Sequence, residues 1–328
     1  MNDTLLAEVA ADVLAPVTPQ DADGHLPEVW ATIAELGWPL VSIPENSGGS
    51  GGCLADLLAL VGAVAEHGVS APLAEAALAR WALAGTERAD LPGLVVPAWE
   101  DSTGALRGVA WARHARNLLV WPRNGTPYLV DLTAPGVLVE PGANLAAEPR
   151  DTVTVPDDAR TPLPEAPARS AATSRAALLT AAAITGAARG AHEITRTHVT
   201  RRNQFGRPLI AVKAVANALA GMRTELVSTQ AALDRACDVH TADPARAEAA
   251  TATVKIRAAH AATSVARSAH QLHGAMGVTR EHSLHHVTRK LWAWRDEHGS
   301  EREWSSRLGR TAVIVGQDGV WDELTAPA

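Results

Sequence analysis

The amino-acid sequence predicts a mostly helical protein with a small β domain in the middle of the chain. Two observations lead to this prediction. Over the first and last parts of the chain, apolar residues recur every three or four positions, which is typical of amphipathic helices. Between them, short apolar runs rich in β-branched residues alternate with Gly, Pro and Asn, which is typical of strands and turns. We therefore expect an N-terminal helical domain over residues 1–88, a middle β domain over 89–165 and a C-terminal helical bundle over 166–328.

Two apolar stripes predict helices in the first domain. Leu5, Val9 and Val13 recur every four residues and form one stripe. The second stripe consists of Leu57, Leu60, Val61 and Val64. Between the stripes, the segment LGWPLVSIPENSGGSGG contains the Gly and Pro residues that end one helix and form a loop before the next.

The middle domain reads as a small antiparallel β unit that begins near Leu91. Its predicted strands are the runs GLVVPAW, RNLLVW, PYLVDL and VLVEP. The unit ends near DTVTVPDDARTPLPEAPARS, which contains four prolines. Because proline removes a backbone donor and fixes φ, we expect this segment to be a stiff linker rather than a helix or a central strand.

Three long Ala-rich segments predict the helices of the C-terminal bundle, over residues 168–202, 212–240 and 243–274. Asp243 and Pro244 are typical of an N-cap and a first helical position. Small side chains allow such helices to pack closely. The predicted buried face of the third helix consists of Val254, Ala258, Ala261, Val265, Ala269 and Leu272.

The composition excludes several classes of protein. Of 328 residues, 47% are apolar and 20% are charged, which is typical of a globular rather than a disordered chain. The net charge of -7 provides no basic surface for nucleic acid. Cys53 and Cys237 are too few for a disulfide framework. We find neither a signal-peptide pattern nor an apolar run long enough for a membrane span, so we expect a cytoplasmic protein.

The segment RRNQFGRPL contains the only phenylalanine of the chain and is the first candidate site. The guanidinium of Arg202 can bind a phosphate in a bidentate way, and the amide of Gln204 can donate and accept hydrogen bonds. Phe205 adds a flat ring, and Gly206 allows close approach. Such a set suits a dinucleotide. On spacing alone, a structural role is the simpler interpretation, in which the arginines complement the dipole of a helix end and Phe205 packs in the core.

The segment QLHGAMGVTREHSLHH is the second candidate site. Gln271 lies in the last turn of a predicted helix, and Gly274 and Gly277 let the chain turn and direct backbone N–H groups at an anion. A helix that ends at glycine and continues into a connector explains the pattern equally well. The histidines of the segment lack the spacing of zinc ligands, so we expect no metal site. These histidines are His273, His282, His285 and His286.

Together these segments resemble the acyl-CoA dehydrogenase family, flavoproteins that convert a saturated acyl-CoA into a 2-enoyl thioester. LGWPLVSIPENSGGSGG is similar to the N-terminal signature of the family, RRNQFGRPL with the downstream NALAGM to its flavin-helix motif, and QLHGAMG to its glycine motif. LWAWRDEHGSEREWSSRLG resembles the segment that carries the catalytic glutamate, above all in short actinobacterial members. The resemblance implies an oligomer whose chains each have a helical domain, a β domain and a C-terminal four-helix bundle.

The resemblance also implies FAD as the cofactor and an acyl-CoA as the substrate. Arg202, Gln204 and Phe205 would contact an FAD of a neighbouring subunit, where Arg202 would neutralise the pyrophosphate and Phe205 would pack beside the adenine end. From the other chain, Gln271 and the backbone from His273 to Gly277 would hold the same cofactor. Further implied cofactor contacts are Lys213, Gly274, Ala275 and Ser300.

The usual base positions of the family do not hold a glutamate in this chain. Members of the family remove the α-proton of the substrate with a glutamate while the flavin accepts the β-hydride. Immediately before the glycine of the C-terminal motif stands His298, with Glu297 one position earlier. The other known position precedes Arg175, an arginine of the family motif that is implied to bind substrate, and it holds Ser174.

The flavin-ring side departs from the family pattern as well. Lys213 stands where the family has a glutamine that reaches the flavin. The Thr-Glu-x-x-x-Gly-Ser-Asp stretch that lines the ring in the family is missing, and PAWEDSTG at 97–104 matches it poorly. Ser300 follows the motif glycine, where a hydroxyl near the flavin is implied. Ser300 also forms a capping-box pattern with Glu303, and the two roles are compatible.

These matches and departures predict a subunit of a heteromeric acyl-CoA dehydrogenase. The chain would complete the FAD site of a full-length partner that supplies the glutamate, with electron-transfer flavoprotein as the electron acceptor. One alternative is an active homo-oligomer in which Glu297 or His298 is the base. A second is a non-catalytic structural subunit, and a third is a different flavin reaction on the same scaffold.

Overall fold

A computed structural model describes residues 3–17, 24–204, 206–279 and 281–325 of the chain, so that Phe205 lies outside the described residues. The helices are α1 (Asp3–Leu14), α2 (Val29–Glu35), α3 (Leu54–Glu66), α4 (Leu73–Leu83), α5 (Arg169–Arg201), α6 (Lys213–Ala242), α7 (Ala247–His273), α8 (Leu284–Trp294) and α9 (Glu301–Thr325). The strands are β1 (Val95–Trp99), β2 (Leu106–Ala110), β3 (Asn117–Trp121), β4 (Tyr128–Asp131), β5 (Leu138–Glu140), β6 (Arg150–Thr154), β7 (Thr161–Pro162), β8 (Asn203–Gln204) and β9 (Arg207–Pro208). This order confirms the predicted fold class, which is mostly α with a small β region in the middle.

The chain divides into two compact units. The first unit comprises Met1–Leu60 and Ser70–Ala176, and the second comprises Val61–Val69 and Ala177–Ala328. The first unit contains β1 to β7, and the second contains most of the long C-terminal helices. The division into three domains, after residues 88 and 165, stays a prediction.

Two small sheets form the β region of the first unit. One has the strand order β1-β3-β4-β7 and the other has the order β2-β6-β5. All pairs are antiparallel except β1 with β3, so the prediction of a wholly antiparallel unit is wrong at this pair. The cause is the connection between them: it passes through β2, which belongs to the other sheet, and such a crossover allows two neighbouring strands to run in the same direction.

The proline-rich segment at the end of the β region is not only a linker. Residues Arg150–Thr154 form β6, in which Asp151 and Val153 are buried. Residues Thr161–Pro162 form β7 at the edge of the four-stranded sheet. An edge strand has a neighbour on one side only, so it tolerates Pro162, which has no backbone N–H to donate to a second neighbour. The linker prediction is therefore wrong for these two stretches.

One buried cluster of the first unit lies between α4 and the sheet that contains β1 and β3, and a second lies among residues of both sheets. Trp121 is fully buried in the first of these clusters, and its Nε1 donates a hydrogen bond of 2.8 Å to the carbonyl of Pro167. Among the residues of α1 whose burial the structure describes, Ala10 and Leu14 are buried, whereas Val9 is 37% exposed. The buried face at this end of α1 therefore lies one residue, about 100°, around the helix from Val9.

The helices of the second unit agree with the prediction from the sequence. Helices α5, α6 and α7 begin and end within a few residues of the predicted bounds, and the predicted face of α7 is buried except for Leu272, which is half-buried. A short 3-10 turn over Pro244–Arg246 precedes α7. Asp243 stands before this turn as predicted, but its side chain makes no capping hydrogen bond.

Glycines allow the end of α3 to approach α5 closely within the second unit. A Cβ atom on Gly186 would lie 2.0 Å from the carbonyl oxygen of Gly62, and one on Gly190 would lie 2.3 Å from that of Glu66. The side chain of Glu66 accepts a hydrogen bond of 3.0 Å from Nε of Arg189 beside this contact. The two helices therefore meet backbone to backbone, and no larger residue fits at positions 186 and 190.

No helix in the described parts of the chain is both long enough and apolar enough to cross a membrane.

We predict that Gly186→Ala lowers the free energy of unfolding by about 2 kcal/mol, because the added methyl group collides with the backbone of α3. The matched control is Gly221→Ala in α6, where an added Cβ has no neighbour within 4 Å. Alanine is the better helix former, so this control is expected to stabilise the protein by about 1 kcal/mol. Urea unfolding of the three proteins checks both values. Equal stabilities of the two variants would contradict the close contact.

Candidate functional site

The loop between α8 and α9, residues 295–300, carries the two candidate bases. In this α8–α9 loop, His298 has a φ of 53°, a left-handed conformation that few non-glycine residues adopt. Gly299 follows with a φ of 105°, and a Cβ atom there would lie 2.5 Å from Nε1 of Trp304. The loop therefore turns sharply at these two residues, and the second must be glycine.

Two hydrogen bonds fix His298. Its Nδ1 lies 2.8 Å from Oγ1 of Thr180 on α5, and its carbonyl accepts a bond of 3.0 Å from Nε1 of Trp304 on α9. Trp304 is 1% exposed, so this donor is itself held in the core. Sequence reasoning did not identify Thr180 or Trp304. The imidazole of His298 is consequently oriented by α5, and its backbone is held by α9.

The end of the loop forms the capping box that the sequence predicts. The backbone N–H and the hydroxyl of Ser300 both donate to the carboxylate of Glu303, at 2.7 and 2.9 Å. The backbone N–H of Glu303 donates back to Oγ of Ser300 at 3.3 Å. These bonds to Ser300 hold the pKa of Glu303 below its usual value. The hydroxyl of Ser300 is thus engaged in capping α9, and its role beside the flavin stays a prediction.

Lys255 on α7 is a third support of the α8–α9 loop. This lysine is 0% exposed, and its Nζ donates to the carbonyls of Arg295, at 2.7 Å, and Trp294, at 3.5 Å. These carbonyls lie at the C-terminus of α8, where the helix dipole favours a cation. Burial lowers the pKa of Lys255 to about 8, although the carboxylate of Glu297 acts in the opposite direction.

A signal for Lys255 was present in the sequence. The residue lies directly after Val254 and three before Ala258, at the border of the face of α7 that the spacing predicts to be buried. Lysine is almost never fully buried unless its ammonium group is paired. A lysine at the border of an apolar helical face is compatible with a buried partner, but the sequence does not show that the partner is the end of α8.

Arg175 is a buried residue of the first unit. Its guanidinium lies over the ring of Trp81 at 4.7 Å, and Nη2 donates a hydrogen bond of 2.8 Å to Oγ of Ser42. Arg175 and the neighbouring Ser174 are each 7% exposed. Ser42 and Trp81 also line a cleft with Glu165 and other residues. The arginine thus supports the wall of this cleft, and its contact with substrate stays a prediction.

The residues of the flavin-helix motif lie on the surface of the second unit. Arg202 follows the last residue of α5, Gln204 lies in β8 and Lys213 is the first residue of α6, and all three are exposed. The strands β8 and β9 form a two-stranded hairpin that pairs Gln204 with Arg207. Gly206, in the turn of this hairpin, has a φ of 75°. The motif therefore presents a cation and an amide to any ligand that binds at this surface.

The residues of the glycine motif end α7. Gln271 is exposed in the last turn, His273 is the last residue and is 5% exposed, and Gly274 follows with a φ of 61°. An added Cβ atom at Gly274 would have no neighbour within 4 Å, so the backbone is open to a ligand at this corner. Ala275 continues the exposed turn.

The two motifs adjoin within one chain. The imidazole of His198, in the last turn of α5, stacks on that of His273 at a ring distance of 4.3 Å. The ends of α5 and α7 therefore lie close together in one chain, and the expectation that separate chains contribute the two motifs to one FAD stays a prediction. We call the exposed residues of the two motifs the cofactor edge: Arg202, Gln204, Gln271, Gly274 and Ala275.

The cofactor edge and the α8–α9 loop lie beside different parts of α7. Lys255 contacts the loop, and His273 lies at the cofactor edge. At a rise of 1.5 Å per residue, these two residues are separated by about 27 Å along the helix. A single copy of the second unit therefore does not bring the candidate bases to the cofactor edge.

Two family models match the chain. Residues 3–88 match the N-terminal domain of acyl-CoA dehydrogenases, and residues 168–301 match their C-terminal domain. Together the matched regions cover more than half of the sequence. The chain belongs to the acyl-CoA dehydrogenase family. This confirms the resemblance seen in the sequence, and FAD is the cofactor of the family.

Relatives of known name or structure agree with this assignment. The acyl-CoA dehydrogenase IpdE2 of Mycobacterium tuberculosis is 27% identical over 275 residues, which cover 80% of this chain and 79% of IpdE2. A variant of the Tcur3481-Tcur3483 steroid ACAD has a TM-score of 0.82 at 23% identity, covering 95% of this chain and 97% of its own. The ChsE4-ChsE5 complex of Mycobacterium tuberculosis has a TM-score of 0.84 at 19% identity, covering 97% and 99%. At these identities the two structures show the shared fold.

We predict that Lys255→Met changes how stability depends on pH. Above pH 8 the folded protein loses the Lys255 proton, whereas the unfolded chain keeps it up to about its ordinary pKa of 10.5. Unfolding therefore takes up a proton in this window, and the stability contributed by Lys255 rises with pH, by about 3 kcal/mol in total. Urea unfolding at several pH values between 7 and 10.5 measures the difference between wild type and variant.

The matched control for this experiment is Lys213→Met, which changes an exposed lysine in α6. We expect it to keep the pH dependence of the wild type. If Lys255→Met and wild type showed parallel stability curves across the window, Lys255 would not be a buried cation.

Proposed function

We propose that this chain is a subunit of an FAD-dependent acyl-CoA dehydrogenase that completes the FAD site of a full-length partner chain. One combination of observations supports the proposal. The chain exposes Arg202, Gln204 and Gly274, residue types that suit a dinucleotide, whereas the two base positions of the family hold Ser174 and His298. The partner would supply the glutamate that removes the α-proton.

The residues of the cofactor edge fit the pyrophosphate and adenine side of FAD. A guanidinium matches phosphate oxygens in a bidentate way, which the exposed Arg202 allows. The open corner at Gly274 lets backbone N–H groups approach an anion without steric hindrance. Gln204 and Gln271 add exposed amides that donate and accept. When bound, FAD supplies the acceptor for the β-hydride of the acyl-CoA.

The α8–α9 loop fits a structural role better than a catalytic one. The charge of Glu297 acts on the buried ammonium group of Lys255 and offsets part of the lowering of its pKa by burial. Ser300 caps α9 and Trp304 holds the backbone of His298. The loop is thus held by contacts within the chain, and none of these contacts requires substrate.

Solved relatives support a heteromer and suggest a substrate class to test first. The ChsE4-ChsE5 structure is a complex of two differently named chains, and the Tcur3481-Tcur3483 protein is a steroid ACAD. We propose a bulky polycyclic acyl-CoA as the first substrate to test. We also propose electron-transfer flavoprotein as the electron acceptor and the cytoplasm as the location of the enzyme.

A second candidate function is an active homo-oligomer in which His298 or Glu297 is the base. The observation that favours it is the left-handed backbone of His298 combined with the fixed orientation of its ring. Strained backbone of this kind often occurs at functional sites, and a neutral imidazole is a competent base near pH 7. A third candidate function is that of a structural subunit that binds no flavin. The α8–α9 loop is held by contacts within the chain, without a ligand, and this is compatible with such a subunit.

We predict that the chain alone purifies without flavin and that a complex with a full-length family member is yellow. In this complex, Arg202→Ala is expected to weaken FAD retention at least tenfold, because the pyrophosphate loses its bidentate partner. The matched control is Arg201→Ala, which removes the adjacent exposed arginine and is expected to keep the flavin. Absorbance in the flavin bands after gel filtration measures retention.

The flavin content of the chain alone and of the complex distinguishes the three candidate functions. A yellow chain that oxidises acyl-CoA alone would overturn the heteromer and favour the homo-oligomer. A complex that forms but contains no flavin beyond that of the partner alone would favour the structural subunit.

We predict that Glu297→Gln and His298→Gln leave α-proton exchange in the complex within about twofold of wild type. The reason is that the partner carries the base in the proposed arrangement. Loss of a general base usually lowers the rate by about 10²–10⁴-fold, so the two arrangements give clearly different results. Exchange of the α-proton of an acyl-CoA with deuterated solvent, followed by NMR, is the measurement. A fall of that size in either variant would identify the base in this chain.

A further inference from the structure

Three histidines from separate elements of the second unit meet at one point. His198 lies in the last turn of α5, His273 ends α7 and His282 lies in the turn before α8. We call them the histidine cluster. One ring nitrogen from each lies within 4.8 Å of those of the other two. Ring centroids are 4.3 Å apart for the pair His198 and His273, and 4.7 Å apart for His273 and His282.

His273 has a buried nitrogen that is suited to a ligand-binding role. Its Nδ1 lies 2.8 Å from the carbonyl oxygen of Ala269, which can only accept, so Nδ1 carries the proton. Nε2 therefore holds a lone pair, and this buried atom has no hydrogen-bond partner. A backbone carbonyl that fixes the proton on one ring nitrogen is the usual support of a metal-binding histidine. The residue is 5% exposed, so water does not readily satisfy Nε2.

The other two histidines are half-buried and can adjust their positions. Nδ1 of His282 accepts a long hydrogen bond of 3.2 Å from the backbone N–H of Leu284. Binding of a metal through Nε2 would transfer the ring proton to Nδ1 and give up this one contact. His198 brings a ring from a helix that is distant in sequence, which explains why the spacing of residues 271–286 does not indicate a site.

Burial lowers the pKa of all three imidazoles, and it lowers that of His273 to about 4. Mutual repulsion among the rings adds to this effect. Neutral imidazole is the form of histidine that binds a metal ion.

We propose that His198, His273 and His282 bind one divalent transition-metal ion, with zinc as the favoured metal and water as the fourth ligand. Three histidines and a water are a known tetrahedral ligand set for zinc. Nitrogen atoms on a tetrahedral zinc with bonds of about 2.0–2.1 Å are about 3.4 Å apart, so the rings must approach one another by on the order of 1 Å. The bound ion would join the ends of α5 and α7 to the start of α8.

This site is separate from the cofactor contacts proposed above. The cofactor edge uses the backbone after α7 and the side chains of Arg202, Gln204 and Gln271. The imidazole of His273 takes no part in it, because the side chain is buried while Gly274 and Ala275 are exposed. The metal site can therefore be tested on the chain alone, without flavin and without acyl-CoA.

The test is a titration of the chelator-treated full chain with Co²⁺ and Zn²⁺. We expect one Co²⁺ per chain with the visible ligand-field bands of tetrahedral cobalt, displacement of Co²⁺ by Zn²⁺, and a rise in melting temperature with Zn²⁺. His198→Gln and His282→Gln are each expected to weaken binding at least tenfold and to abolish the thermal shift. Both residues are half-buried, so the variants should fold, and circular dichroism without metal checks this.

The matched control is His260→Gln, which changes an exposed histidine of α7 that lies 3.2 Å from Glu225 and outside the cluster. It is expected to bind Co²⁺ within about twofold of wild type. Absence of tetrahedral cobalt bands in the wild type would overturn the proposal and leave a packed cluster of neutral histidines. Equal Zn²⁺ affinity in wild type and in both cluster variants would overturn it as well, because the metal would then bind elsewhere.

Discussion

The contact of a buried lysine with the end of a helix determines the shape of the candidate catalytic region. Lys255 is fully buried and donates to the last carbonyls of α8, and the chain turns directly after them into His298 and Gly299. Burying an ammonium group is costly, and carbonyls at a helix C-terminus together with nearby carboxylates offset part of that cost. The ammonium group lies in the core of the unit. A movement of the loop would therefore expose this charge to solvent or leave it buried without its carbonyl partners.

The α8–α9 loop, which carries the candidate bases, and the cofactor edge are separate regions of the second unit. The α8–α9 loop is stabilised by Lys255, Trp304 and the capping box of Ser300, all within the chain. The exposed residues of the cofactor edge lie about 27 Å away along α7. In the proposed arrangement, a chain with His298 in place of the family glutamate keeps this cofactor edge, because the hydrogen bonds that hold the α8–α9 loop do not involve its residues. This separation is the physical argument for the proposed division between subunits.

The sequence predicted the fold well and the sites only in part, for reasons that differ between elements. The long helices followed from their Ala-rich composition, and in the segment 243–274 also from apolar residues that recur every three or four positions. The strand β6 was missed because the prolines that follow it suggested a linker, although Val153 is buried in it. The parallel pair of β1 and β3 was missed because pairing direction depends on the path of the chain between strands.

The side chains that hold the candidate site were hidden because they come from distant segments. Thr180 and His298 meet through tertiary packing, and no local spacing connects them. The same reasoning applies to the histidine cluster, in which a ring from α5 joins two rings that follow one another along the chain. Spacing rules for metal ligands describe sites built on short loops, whereas helices of a bundle bring ligands together from any sequence separation. The sequence places one histidine in the last turn of α5 and another at the end of α7. The packing of the two helix ends side by side brings these rings together, and this packing is not visible in the spacing of the residues.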